Sequence, residues 1–401
     1  MFSGLSLDQA PPIKVVFSFF ITAAIFGLFG SLNILLFDYN YIFFHLLTIG
    51  FFSFVMIGAL FQMFPVMIGV GVKFLIPTFR IVYFSLFFGL LFFYLSYFFT
   101  NTILIKISTL LLLIGFLTFI VDFLYSLFSS SIKYDATSIS MAIALLFFAF
   151  GIVFGIGLLL GYYGITSFNI AYTTHLNTIF FGAIFILVMG ISFKIIPMFW
   201  VAKEYPNYCR YFILPLISSL VLLYIVLELF GFTTSKELFG ALFALPLMAF
   251  YSITFRRLRN RKRKLKDYSI YFINTGLILG FIGACLLIAQ NFIGIKKELF
   301  FTLFGLGCAS SYIFGLLYKI VPFLCWFHLS SKGLFDIPTI KEFIEEKYIK
   351  AHFIVHIFAL IVSIFSIKLL AFTLIVSFAL MAYNITKAYK TYLRISKQMI
   401  S

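Results

Sequence analysis

The chain contains five histidines, His45, His175, His328, His352 and His356, and they limit its chemistry more narrowly than any other residue type. Imidazole is the commonest protein ligand for transition metals and exchanges protons near neutral pH. His352 and His356 stand at i and i+4, on one face of a helix, a spacing that can bind a metal. His328 closes the preceding apolar segment on the same side. There is no H-E-x-x-H, because Phe353 occupies the second position. The alternative for this trio is interfacial packing beside Glu342, Glu345 and Glu346. His45 and His175 each stand near the start of a long apolar segment and are the best ligand candidates. Their alternative is an amphipathic ring at the headgroup level, bonded to a neighbour or water.

Other polar residues are few. Asp122 is the most embedded carboxylate, expected either in a proton or ion path or paired with a lysine or tyrosine of an adjacent helix. Glu228 lies near the end of another apolar segment. Asn33, Asn274, Asn384 and Gln290 are expected in interhelical hydrogen bonds. Cys209, Cys285, Cys308 and Cys325 have neither zinc-site spacing nor the density of a disulfide scaffold. No nucleophilic triad or phosphate-cradling loop is placed convincingly.

These side chains must be positioned by membrane helices. Of 401 residues, 63% are hydrophobic and 10% charged, far from the roughly 45–50% and about 25% of a soluble domain. A span needs about 20 apolar residues. About twelve segments qualify, near 13–37, 41–71, 78–99, 102–130, 138–163, 172–202, 208–231, 237–255, 268–290, 298–327, 350–368 and 369–390. The first is too long for a cleaved signal peptide, and continuous apolar runs exclude a barrel. The expected fold is therefore an all-α polytopic membrane protein, residues 1–401 forming one integral membrane domain.

Charge placement orients it. With both termini and the even-numbered loops on one side, the other side holds only Lys106, Lys236, Lys296, Lys297 and Lys368. The remaining 24 of the 29 basic residues face the side of the termini, which the positive-inside rule makes cytoplasmic. The net charge of +16 thus reports orientation in a bacterial-type inner or plasma membrane, not nucleic-acid binding. The Arg256–Lys266 run reads as a topology determinant, with contact to anionic lipid or nucleic acid as the alternative.

A motif recurs three times, as Gly58-x-x-Phe61-Gln62-x-x-Pro65, Gly190-x-x-Phe193-Lys194-x-x-Pro197 and Gly315-x-x-Tyr318-Lys319-x-x-Pro322. Gly50, Gly182 and Gly307 stand fifteen residues before the three prolines. The copies close the second, sixth and tenth spans, which predicts three pseudo-repeated four-helix units, roughly 13–130, 138–255 and 268–390. Gln62, Lys194 and Lys319 sit in the last turns, where the lysines can snorkel to the headgroups or serve a proton or substrate path.

This plan resembles the catalytic subunit of the heme–copper oxidase superfamily, nearest its nitric oxide reductase branch. In that branch the second helix starts with a heme-ligating histidine and ends in a Gly-x-x-Tyr-Tyr-x-x-Pro sequence, as His45-Leu-Leu-Thr48 and Gly58–Pro65 do here. His175-Leu-Asn177-Thr178 opens the sixth span, where the family places a metal ligand. The resemblance implies that His45 and His175 bind a cofactor, heme b or copper, with Met56, Met63, Met67, Met189 or Met198 as sulfur donors nearby. It also implies a membrane redox subunit as partner.

The departures are large. The family's tenth helix carries two heme-ligating histidines, whereas 298–327 has none and Thr302 takes the register of His45. The seventh span, 207–231, lacks the copper-ligating histidines. Five histidines cannot complete two hemes and a copper, so the usual oxygen or nitric oxide reduction is not expected. The expected role is heme or metal binding with electron transfer or handling of a small gas. The alternative is a secondary transporter of a small solute or ion, which twelve spans with broken ends would also suit.

Overall fold

The computed structural model describes residues 11–165, 171–232, 236–332 and 337–398. No strand occurs among them. Twelve helices follow in chain order: α1 (Ile13–Phe37), α2 (Tyr41–Ile68), α3 (Leu75–Phe99), α4 (Thr102–Phe128), α5 (Ala136–Tyr162), α6 (Tyr172–Trp200), α7 (Cys209–Leu229), α8 (Lys236–Arg259), α9 (Tyr268–Ala289), α10 (Lys297–Ser330), α11 (Glu346–Val362) and α12 (Ile367–Gln398). Eleven are long and apolar enough to cross a membrane; α11 is the exception, with 17 residues. The chain is an integral membrane protein. After Pro338 there is only a short 3-10 turn, Ile340–Glu342, capped by Thr339.

The described residues divide into two compact units. The first comprises the described residues within 1–71, 265–276 and 305–401, the second those within 72–264 and 277–304. In the first, α1 packs along α12 and α2, and α12 packs against α10 and α11. Gly27 is needed there, because a Cβ would stand 2.3 Å from the ring of Phe378. In the second, α3 and α4 form a tight hairpin, α5 lies along α6, and α7 and α8 complete the group. Asn101 caps α4 by accepting from the N–H groups of Ile103 and Leu104, and Asp135 caps α5 in a reciprocal box with Ser138.

The motif helices share a backbone peculiarity, one that α7 also shows over Cys209–Ile213. In α2, α6 and α10 the ladder widens to i→i+5 bonding over Leu46–Ser53, Thr178–Phe185 and Phe301–Ser310. Each widened stretch ends twelve residues before the motif proline, at Ser53 for Pro65, Phe185 for Pro197 and Ser310 for Pro322. The Ser53 and Ser310 hydroxyls donate five residues back, to the carbonyls of Thr48 and Gly305. Such π-turns are rare and concentrate at functional sites.

The motif glycines explain themselves by packing. A Cβ on Gly58 would meet Phe19 of α1 at 2.6 Å, one on Gly190 would meet Ser140 of α5 at 1.5 Å, and one on Gly315 would meet Ile273 of α9 at 2.5 Å. In all three cases the bare glycine faces the helix immediately preceding its own. Close approach of backbones is what glycine permits in a membrane, where dispersion rather than a hydrophobic drive joins helices.

Candidate functional site

His175 lies in the second unit on the first turns of α6, half-buried against α5. Its Nδ1 is 2.8 Å from the carbonyl oxygen of Gly151, so Nδ1 carries the proton and Nε2 the lone pair. Gly155, one turn on, leaves room for the ring, since a Cβ there would stand 2.7 Å from Cε1 and 3.0 Å from Nδ1. One turn after His175, the buried hydroxyl of Thr178 has no hydrogen-bond partner. Glu228 of α7 accepts from the Thr174 hydroxyl at 3.3 Å on the neighbouring position.

His45 repeats this chemistry in the first unit. Its Nδ1 is 2.7 Å from the Tyr41 carbonyl, which again assigns the lone pair to Nε2. The π-stretch begins at the next residue, Leu46. On α1, a Cβ at Gly30 would stand 3.4 Å from Leu46, the residue after His45, and 3.6 Å from Phe43, two residues before it. Asn33, three residues further along α1 and 1% exposed, has neither amide atom hydrogen-bonded. An unpartnered buried amide is expensive in lipid. His45 and His175 belong to different units.

Both histidines therefore suit a metal or heme iron in one respect. A ligating imidazole almost always donates its other N–H to a carbonyl or carboxylate, which sets tautomer and ring orientation. Orphaned buried groups near each, Asn33 and Thr178, would be satisfied by a polar cofactor edge or by water. Met63, Met67 and Met189 are core residues of the same helices. Each site offers one imidazole. No group of three or more His, Cys, Asp or Glu side chains close enough to hold a metal ion occurs among the described residues.

A buried polar network in the first unit was only partly foreseen. His352 and His356 of α11 are 0% and 1% exposed, enclosed between α10 and α12. Asn384 donates to the Tyr318 hydroxyl at 2.9 Å, and that hydroxyl lies 2.6 Å from His352 Nδ1. Both ring nitrogens of His352 are thus engaged, Nδ1 with the Tyr318 hydroxyl and Nε2 with the Ser377 hydroxyl at 2.8 Å. His356 Nε2 meets the Ser311 hydroxyl at 2.7 Å, while its Nδ1 has no partner. Phe272 and Phe314 wall both rings, with centroid distances of 4.6 to 5.5 Å. His328 is not part of this group, and its Nε2 faces Gln62 at 3.4 Å. The acids expected beside the trio lie elsewhere: Glu345 binds Lys347 and Lys387, and Glu346 accepts from the Tyr268 N–H.

The motif lysines are held by capping acids. Lys194 pairs at 2.7 Å with Asp135, the N-cap of α5, and Lys319 at 2.5 Å with Asp267, which accepts from Ser269 at the start of α9. The acid in each case precedes the first residue of the helix packed against the motif glycine. At α1 the corresponding cap is Pro12, which offers no carboxylate, and there the motif carries the neutral Gln62. Burial alone would push the Asp135 carboxyl up, but hydrogen bonds from Lys194 and Ser138 hold it below its ordinary value. The capping acids were missed from the sequence; Asp-x-Ser/Thr at the start of a span was their available signal.

Asp122, 5% exposed, accepts from the Thr78 hydroxyl at 2.6 Å and, at 3.4 Å, from the Phe74 N–H and Ser126 hydroxyl. It thus caps the start of α3 from the neighbouring helix, a different arrangement from the lysine or tyrosine pairing anticipated. No protein family matches the chain, and no curated protein is significantly similar to it. Its own geometry carries the functional reading.

Proposed function

We propose that the protein is a divergent heme–copper-oxidase-like membrane protein that binds heme, or a single metal, through His45 or His175 and serves electron transfer or a small gas. The observation that carries this is the paired Nδ1-to-carbonyl hydrogen bonds of 2.7 and 2.8 Å, which present Nε2 as the ligand atom on both helices. Recurrent π-turns, glycine contacts and lysine–cap pairs support the reading as three related four-helix units. The charge asymmetry supports cytoplasmic termini. Five histidines are too few to ligate two hemes and a copper, and in this reading a membrane partner subunit would receive or supply the electrons. When bound, heme would supply a one-electron couple and a gas ligand position; the chain supplies the imidazole, its orientation and an apolar surround.

The test is a reduced-minus-oxidised spectrum with metal analysis on protein purified from its membrane, repeated for His45→Ala and His175→Ala. Heme bands or stoichiometric metal that disappear in one variant are expected. Protein free of heme, copper and iron overturns the cofactor reading.

A second reading, transport of a small solute or ion, draws on the buried Tyr318–His352–Ser377–Asn384 network, because polar groups inside a membrane commonly mark a pathway. Uptake by reconstituted vesicles that is lost in His352→Phe, in protein lacking cofactor, would favour it.

A further inference from the structure

The Arg256–Lys266 run is not absorbed by a ligand role for the histidines, and the structure gives part of it a specific surface. In the second unit a groove of about 320 Å³ runs between the last turns of α8 and the middle of α9. Tyr251, Ser252 and Phe255 line one wall, and Leu277, Ile278, Phe281 and Ile282 the other. Arg256 and Arg259 close its upper end. Both are exposed, and neither belongs to an ion pair among the described residues. Ile278 and Ile282 are 48% and 43% exposed, so the groove opens sideways onto the apolar surface of the helices.

We propose that this groove binds one anionic phospholipid, its phosphate between Arg256 and Arg259 and an acyl chain along the apolar floor. The dimensions agree. From Arg259 to Tyr251 is eight residues, about 12 Å at 1.5 Å per residue, so charge and floor are separated along the direction a lipid would lie. Guanidinium suits a phosphate better than ammonium does, because it offers parallel N–H donors. Arg256 and Arg259, with Arg257 between them, lie in the last turn of α8, at the negative end of that helix's dipole. The neighbouring Arg261, Lys262, Arg263, Lys264 and Lys266 do not line the groove and add only a general attraction to an anionic surface. The assignment is independent of whether the protein holds heme.

The test compares phosphatidylglycerol with phosphatidylcholine. Protein in mild detergent is mixed with each, and retention is read by native mass spectrometry alongside the thermal midpoint. Wild type is expected to retain phosphatidylglycerol selectively. Arg256→Gln/Arg259→Gln should lose about tenfold or more of that preference, on the scale of two phosphate contacts. Arg263→Gln/Lys264→Gln, which removes the same charge from the same run, should retain it. Ser252→Trp, which fills the floor and spares the arginines, should also lose retention. Equal retention of both lipids, or equal loss in the two charge variants, overturns the proposal. A full effect from glycerol 3-phosphate alone overturns it too, since the site would then be a headgroup anion site without a chain.

Discussion

The two motif lysines make the same contact at different depths, and burial should set its worth. Lys319 and Asp267 are 21% and 15% exposed at their side chains, whereas Lys194 and Asp135 are 35% and 45% exposed. Breaking a buried pair by removing one partner costs about 3–5 kcal/mol, because the remaining charge is left desolvated. An exposed pair is worth about 0–1 kcal/mol. The Lys319 pair is mostly but not wholly buried, so Lys319→Met should cost about 2–4 kcal/mol and Lys194→Met less than about 1. Asp267→Asn keeps an oxygen for the Ser269 N–H, so it removes the charge while preserving the cap. Adding Asp267→Asn to Lys319→Met should therefore recover part of that stability, because neither member of the pair is then left charged without the other. The assay is equilibrium unfolding in mixed micelles, run as a double-mutant cycle. Equal losses at Lys319 and Lys194, or a double variant as damaged as the sum of its singles, would refute the argument.

Three further outcomes follow from the same structure. Tyr318→Phe leaves His352 Nδ1 and the Asn384 amide without their shared partner, and should lower stability by about 1–3 kcal/mol in the unfolding assay, more than Tyr383→Phe on the surface. Gly155→Ala places a methyl 2.7 Å from the His175 ring, and should raise the rate at which diethyl pyrocarbonate modifies His175; an unchanged rate would mean the niche does not hold the ring. The Asp135 carboxyl is held below its ordinary value of 3.8, so its contribution is present above that value and is lost as pH falls through the lower folded-state value. Thermal midpoints measured from pH 6 to 3 should fall more steeply for wild type than for Asp135→Asn, and parallel curves would count against the pair.

Much of the fold was legible from apolar run length, because a span must satisfy its backbone within itself and so declares itself in about 20 residues. Eleven of the twelve expected segments became helices of spanning length. The eleventh segment, 350–368, did not, since α11 begins at Glu346 with Lys347 and Lys350 in its first turns and ends at Val362. Its histidines are fully buried, because α10 and α12 close over them. The Asn384 hydrogen bond was anticipated; its partner Tyr318, from a helix 66 residues away, was not.

What the sequence determined by itself is eleven of the spanning segments and the threefold recurrence of Gly, Gln or Lys, and Pro, which are local or periodic properties. Tertiary structure decided what those residues do. Gly58, Gly190 and Gly315 matter because another helix approaches each of them. Lys194 and Lys319 are fixed by acids 59 and 52 residues earlier, at Asp135 and Asp267, and Asp122 by Thr78. The tautomer of His175 is set by a carbonyl on another helix, at Gly151. A polar side chain in lipid must find its partner wherever packing brings one, and the partner's identity is a fact of three-dimensional proximity that no local pattern encodes.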